Sequence, residues 1–131
     1  MGATSAPAQL GCYERLPEEE EIAMSEISIV FVTAGSEEEA ATIGRTLVEE
    51  HLAACANIVP RIRSIYRWKG QIYDEQEFLI IIKTRTSHFR MLQERVKKLH
   101  SYEVPEIISL PISNGLPQYL EWVIEEVNSE Q

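Results

Sequence analysis

A chain of 131 residues, 44% hydrophobic and 25% charged, has room for one globular domain and is too apolar to be disordered throughout. Twelve Lys and Arg against 21 Asp and Glu give a formal charge of −9, which argues against a nucleic-acid partner, since such binders carry a basic stripe. No apolar run approaches the roughly 18 residues of a membrane helix, and no cationic, then apolar, leader opens the chain. Two cysteines, Cys12 and Cys55, make no disulfide framework, so a cytoplasmic protein without a membrane partner is expected.

Residues 1–24 read as a disordered tail. Met1 to Ala8 is small and polar, and Glu18-Glu19-Glu20-Glu21 is a self-repelling block of like charge. The single domain is expected over residues 25–131. Ile27, Ile29 and Phe31 alternate with Ser28, Val30 and Val32, a first strand with apolar residues on both sides. Ser36-Glu37-Glu38-Glu39 reads as a capping box, in which the Ser36 hydroxyl takes a helix N–H and Glu39 reaches back. The helix it opens carries Ala40, Ile43, Leu47 and Val48 inward and ends near Leu52.

A long hairpin is expected from Ala53 to Thr84. Ile62, Ser64, Tyr66 and Trp68 point one way, and Arg61, Arg63, Ile65 and Arg67 the other. Pro60 cannot donate to a ladder, which implies an edge position or a bulge there. Trp68-Lys69-Gly70-Gln71 supplies the turn, with Gly70 free to take a positive φ. Asp74, Glu75 and Glu77 read as a solvated cluster beside it. Phe78-Leu79-Ile80-Ile81-Ile82 does not alternate, so both its faces must be covered, one by helices and the other by a further subunit.

Thr86 or Ser87 caps a second helix with the stripe Phe89, Leu92, Val96 and Leu99. Arg95, Lys97, Lys98 and His100 crowd its last turn, where cations oppose the negative dipole end. Glu106 to Ile112 is a fourth strand, and Pro117 opens a third helix with Leu120, Val123, Ile124 and Val127 inward. The order β-α-β-β-α-β-α predicts a ferredoxin-like α+β sandwich with an extra C-terminal helix, its helices on one sheet face. The bare second face, and a hairpin end projecting around Tyr66 to Tyr73, predict assembly of identical subunits with closed symmetry. No Ser-His-Asp order, Cys-His pair or HExxH is present, so no enzymatic activity and no required cofactor are expected.

Several separate stretches resemble the CutA family of divalent-cation tolerance proteins: Thr33-Ala34, Leu52 to Pro60, Ser64 to Gly70, Lys83-Thr84, His100 to Ile107, and Tyr119-Leu120-Glu121-Trp122. The resemblance runs from about Ile27 to Val127. It implies a homotrimer of ferredoxin-like subunits whose hairpins pair between subunits, with Tyr66 and Trp68 as trimer packing residues. It also implies a role in tolerance of, or response to, divalent metal ions, copper among them. The copper site of bacterial members uses a Cys at the end of the first strand and a His-His pair. Val32 and Leu99-His100 stand at those positions, which leaves His100 as the metal candidate and Cu2+ as an optional ligand. Lys83, Tyr102 and Glu106 match positions lining a cleft between subunits. There they form either an intersubunit ion pair with a Tyr hydroxyl attached or a small-ligand pocket. PII-type trimers share this architecture at fold level, so a small-ligand signalling module is the alternative function.

Overall fold

The computed structural model describes residues 26–127; the tail expected over residues 1–24, with Cys12 and the acidic block, lies outside them. The elements follow in the order β1 (Ile27–Ala34), α1 (Glu37–Glu49), β2 (Cys55–Trp68), β3 (Gln71–Arg85), a 3-10 turn (Thr86–His88), α2 (Phe89–Leu99), β4 (Ile107–Pro111) and α3 (Pro117–Glu126). The strands form one sheet in the order β2-β3-β1-β4, every neighbouring pair antiparallel. This is the expected ferredoxin-like arrangement.

Alternate residues of the central strands build the main core. Val30, Val32 and Ala34 of β1 and Phe78, Ile80 and Ile82 of β3 pack under Ile43 and Leu47 of α1 and Leu92 and Val96 of α2. Ile80 and Ile82 are fully buried, and removing each side chain from water contributes roughly 2 kcal/mol. Val48, expected inward, is 39% exposed. The helix stops at Glu49, and His51 takes a left-handed φ of 60°. That turn swings Leu52 back so that its N–H reaches the Leu47 carbonyl at 2.9 Å, and Leu52 takes the buried place instead.

The third helix corrects the expectation that all helices share one face. Leu120 and Val123 of α3, with Val127 just beyond it, pack on Ile27 and Ala54. Ile27 lies three residues from Val30, hence on the opposite side of the pleat. α3 therefore covers one end of the second face. The rest of that face stays apolar: Ile29, Phe31, Leu79 and Ile81 are half-buried, and Ile108 and Leu110 are exposed.

The hairpin outgrows the sheet. β1 pairs with β3 only as far as Ala34 opposite Phe78, whereas β2 and β3 continue from Ile62 opposite Glu77 to Trp68 opposite Gln71. Between Val59 and Ile62 the register shifts, so Pro60 and Arg61 together oppose Phe78. Both readings of Pro60 hold: β2 is an edge strand, and it is bulged there, with Arg61 at a φ of 62°. Lys69 and Gly70 both take positive φ, at 51° and 81°, as a two-residue turn with the native strand twist requires.

Half of the capping box forms. The Ser36 hydroxyl accepts the Glu39 N–H at 3.1 Å, but the Glu39 carboxylate turns away and accepts from Ser101, N–H at 2.7 Å and Oγ at 3.1 Å. Neither Thr86 nor Ser87 caps α2, which has no side-chain cap; the Thr86 hydroxyl instead meets Ser28 Oγ at 2.7 Å. Replacing Ser36 with Ala orphans one helix N–H, and the urea midpoint is expected to fall by an amount equivalent to about 1 kcal/mol with the slope unchanged.

Candidate functional site

The bulge and the end of β1 leave a gap between the hairpin arm and the loop that joins α2 to β4. A cavity of about 580 Å³ fills it, walled by Tyr66, Trp68, Glu75 and Glu77 of the arm and by Tyr102 and Glu106 of the loop. One chain supplies all of these walls.

The loop is fixed at its root by His100. Its Nε2–H donates to the Thr33 carbonyl at 2.7 Å, and its Nδ1 accepts the Tyr102 N–H at 3.1 Å. An amide N–H can only donate, so Nδ1 accepts in this contact, with the Glu39 Oε2 carboxylate oxygen 3.6 Å from the same nitrogen. Glu39 holds Ser101 from the other side. The Tyr102 ring leans on the imidazole, centroids 4.7 Å apart, and its hydroxyl donates to Glu77 Oε2 at 2.7 Å. A Cβ at position 35 would stand 3.1 Å from that hydroxyl, so Gly35 keeps the passage open.

On the arm, Tyr66 stacks on Tyr73 with centroids 5.3 Å apart and donates to Glu75 Oε1 at 2.8 Å. Glu77, directly opposite Ile62, is only 5% exposed. It forms no ion pair among the described residues; the Tyr102 hydroxyl is its one hydrogen-bond donor. Burial, then the charge of Glu77, raises the pKa of Glu106 above the usual carboxylate range. The Tyr66 phenol is pushed up to about 12, first by its hydrogen bond to Glu75, then by burial and neighbouring carboxylates. Burial and the bond to Glu77 push Tyr102 up as well.

Of the residues singled out in the sequence, Tyr66, Trp68, Tyr102 and Glu106 are brought together at this cavity. Lys83 of the same chain is not: it lies six residues beyond Glu77 along β3, roughly 20 Å away. Its ammonium donates to Asn57 Oδ1 and lies 3.8 Å from Cys55 Sγ. The acidic cluster near the turn is not uniformly solvated. Asp74 pairs with Arg63 at 2.7 Å on the other side of the arm, while Glu77 is buried. Glu77 shares its face with Leu79 and Ile81, and that position beside the apolar block is the signal that could have singled it out.

The copper donor set implied by the resemblance does not fit one chain. Val32 is fully buried in the core, and both His100 ring nitrogens are engaged. Among the described residues no three His, Cys, Asp or Glu side chains converge on a metal-sized position.

The sequence and the fold agree on kinship. The family model described as "CutA1 divalent ion tolerance protein" matches residues 28–126. The chain belongs to the CutA1 family. The divalent-cation tolerance protein CutA of Thermus thermophilus is 55% identical over 97 residues, 74% of this chain and 94% of that protein. The mouse protein CutA is 47% identical over 103 residues, 79% of this chain but only 58% of the mouse one. Among solved structures, Thermus thermophilus CutA1 superposes with a TM-score of 0.76 at 52% identity, covering 78% of this chain and 99% of that one. CutA1 of Oryza sativa gives 0.78 at 41% identity, covering 82% and 99%. Relatives carry different addresses in their names, chloroplastic in Arabidopsis thaliana and periplasmic in Archaeoglobus fulgidus. No helix among the described residues is long and apolar enough to cross a membrane.

The Glu75 carboxylate sets the ionisation of Tyr66. Following phenolate absorbance against pH, Tyr66 should ionise near 12 rather than at the ordinary 10.0, and Glu75→Gln should bring it back toward the ordinary value.

Proposed function

We propose that the protein serves divalent-cation tolerance as a non-catalytic homotrimer. The observation that carries this reading is the second sheet face. Ile29, Phe31, Leu79, Ile81, Ile108 and Leu110 form an apolar strip that α3 leaves uncovered. A strip of this kind marks an interaction surface, and identical subunits related by closed symmetry are the economical cover. The arm, with Tyr66 and Trp68, extends the same surface. The unpaired Cys55 thiol suits a reducing, cytoplasmic setting. Copper held by His100 of one chain is not part of this reading, because the imidazole lone pair is spent on Tyr102.

A second reading, a small-ligand module using the cleft, is favoured by one specific observation. Glu77 is a buried carboxylate facing the cavity without a cation of its own. A buried charge of this kind is rarely left alone.

Mass measurement in solution tests the assembly. The wild type is expected at three times the chain mass, and Ile108→Glu, at a site already half exposed in one chain, should yield a folded species of lower mass. A wild-type monomer would overturn the reading. Titration with Cu(II), counted by metal analysis on the same samples, should give the same uptake for wild type and His100→Gln. Loss of a stoichiometric site in the variant would restore His100 as a ligand.

A further inference from the structure

We propose that Asn114-Gly115, in the link between β4 and α3, is a self-modifying site: Asn114 loses its side-chain amide by reaction with Gly115, and the product loosens α3 from the sheet. The reaction needs no partner molecule but water. The Gly115 backbone nitrogen attacks the Asn114 side-chain carbonyl carbon. A C–N bond forms and closes a five-membered succinimide. The bond from that carbon to Nδ2 breaks, and the proton of the attacking nitrogen leaves with the amide group as ammonia. Water then opens the ring at either carbonyl. One opening gives aspartate, and the other gives isoaspartate, in which the main chain runs through the former side-chain carbon.

Asparagine is thermolabile for this reason. Two brakes ordinarily slow it: a side chain on the following residue crowds the attacking nitrogen, and regular structure holds that nitrogen's N–H in a hydrogen bond. Neither operates here. Gly115 has no Cβ. Residues 112–116 lie between the end of β4 at Pro111 and the start of α3 at Pro117, outside strand and helix. Among the described residues no backbone carbonyl accepts the Gly115 N–H. Asn114 is exposed, so water reaches the ring once it forms.

Packing keeps this weak point in place. Gly115 is not required for its backbone conformation, since Gly70 is the described glycine with positive φ. It is required by Leu120. A Cβ at position 115 would stand 2.9 Å from Leu120 Cδ2 and 3.1 Å from Cδ1. Leu120 is buried in the cluster that seats α3 on Ile27 and Ala54. A side chain large enough to shield the nitrogen would push Leu120 from that seat, and close-packed interiors register even one extra methylene. The docking of α3 thus demands the dipeptide that undoes it.

The link is held at both ends. The Ile112 N–H donates to the Ile27 carbonyl at 3.2 Å, and the Leu120 N–H donates to the Leu116 carbonyl at 3.0 Å. Isoaspartate lengthens the chain between them by one C–C bond, about 1.5 Å. No side chain caps the start of α3, so the packing of Leu120 holds it, and the added length displaces Leu120. Either product also adds a carboxylate to a chain already at −9.

Peptide mapping by mass spectrometry tests this on the full-length protein, kept warm at mildly alkaline pH and sampled over days. Asn114 is expected to lose its amide, with aspartate and isoaspartate peptides both appearing. Asn57, inside β2 and followed by the branched Ile58, should keep its amide. Hydrogen exchange on the same samples should show α3 losing protection as the wild type ages, and keeping it in Asn114→Ser. Equal retention of the amide at Asn114 and Asn57 would overturn the site, whether the link itself or a neighbouring subunit shields it. That comparison lies within one chain and holds even where the variant fails to fold. Amide loss at Asn114 with α3 protection unchanged would overturn the loosening, as would equal loss of protection in aged Asn114→Ser.

Discussion

Strand β3 is the constraint on which the other elements depend. Over Phe78 to Arg85 it is flanked by β1 and β2, and its side chains alternate between two apolar surroundings. Phe78, Ile80 and Ile82 enter the helix layer, while Leu79 and Ile81 face the other way. Over Gln71 to Glu77 the same strand has, among the described residues, only β2 for a neighbour. The change occurs at one place. β1 ends opposite Phe78, the bulge at Pro60 and Arg61 opposes Phe78, and the cavity opens beside Glu77. A bulge increases local twist. The arm is thereby turned over the loop instead of continuing flat, and Lys69 at its tip comes within 3.5 Å of Glu103.

The loop's position follows from a chain of polar contacts that begins on β1: Thr33 carbonyl, His100, Tyr102, Glu77. Each bond contributes about 1 kcal/mol net, but removing one partner leaves a buried group unsatisfied at a cost of about 1–3 kcal/mol. Such a chain specifies geometry more than it adds stability. It also explains how a histidine is tolerated in the interior. Both ring nitrogens have partners, the Thr33 carbonyl and the Tyr102 N–H, so no polar atom of the ring is left unsatisfied. A metal would have to take the acceptor from Tyr102 and release the loop that forms the cavity wall.

Local patterns were legible in the sequence, and long-range pairings were not. Phe78 to Ile82 announced a strand apolar on both faces, and Pro60 announced the irregular edge, because both signals reside in consecutive residues. The amphipathic stripe of α3 showed which side of the helix is buried, yet an amphipathic helix fits either face of a two-sided apolar sheet. Its packing on Ile27 was therefore invisible. Glu39 looked like the second half of a capping box because its partner was sought three residues away; its actual partner, Ser101, is 62 residues distant. Glu77 was read with Asp74 and Glu75 as solvated charge. Only the register, which sets it opposite Ile62 and under Tyr102, separates it from them.

The two unfinished features of the chain adjoin each other. α3 protects the end of the second face near Ile27, far from the cavity. The uncovered strip runs the other way, through Phe31 and Leu79, and ends beside the buried Thr33, which also lines the cavity. A subunit that covers the strip must therefore border the cavity mouth, and the arm that supplies half the cavity wall leans out over the same boundary. Anything that binds the cavity only when that wall is in place stabilises the arrangement of the arm by mass action. A subunit covering the strip would in this way meet the arm at the bulge opposite Phe78.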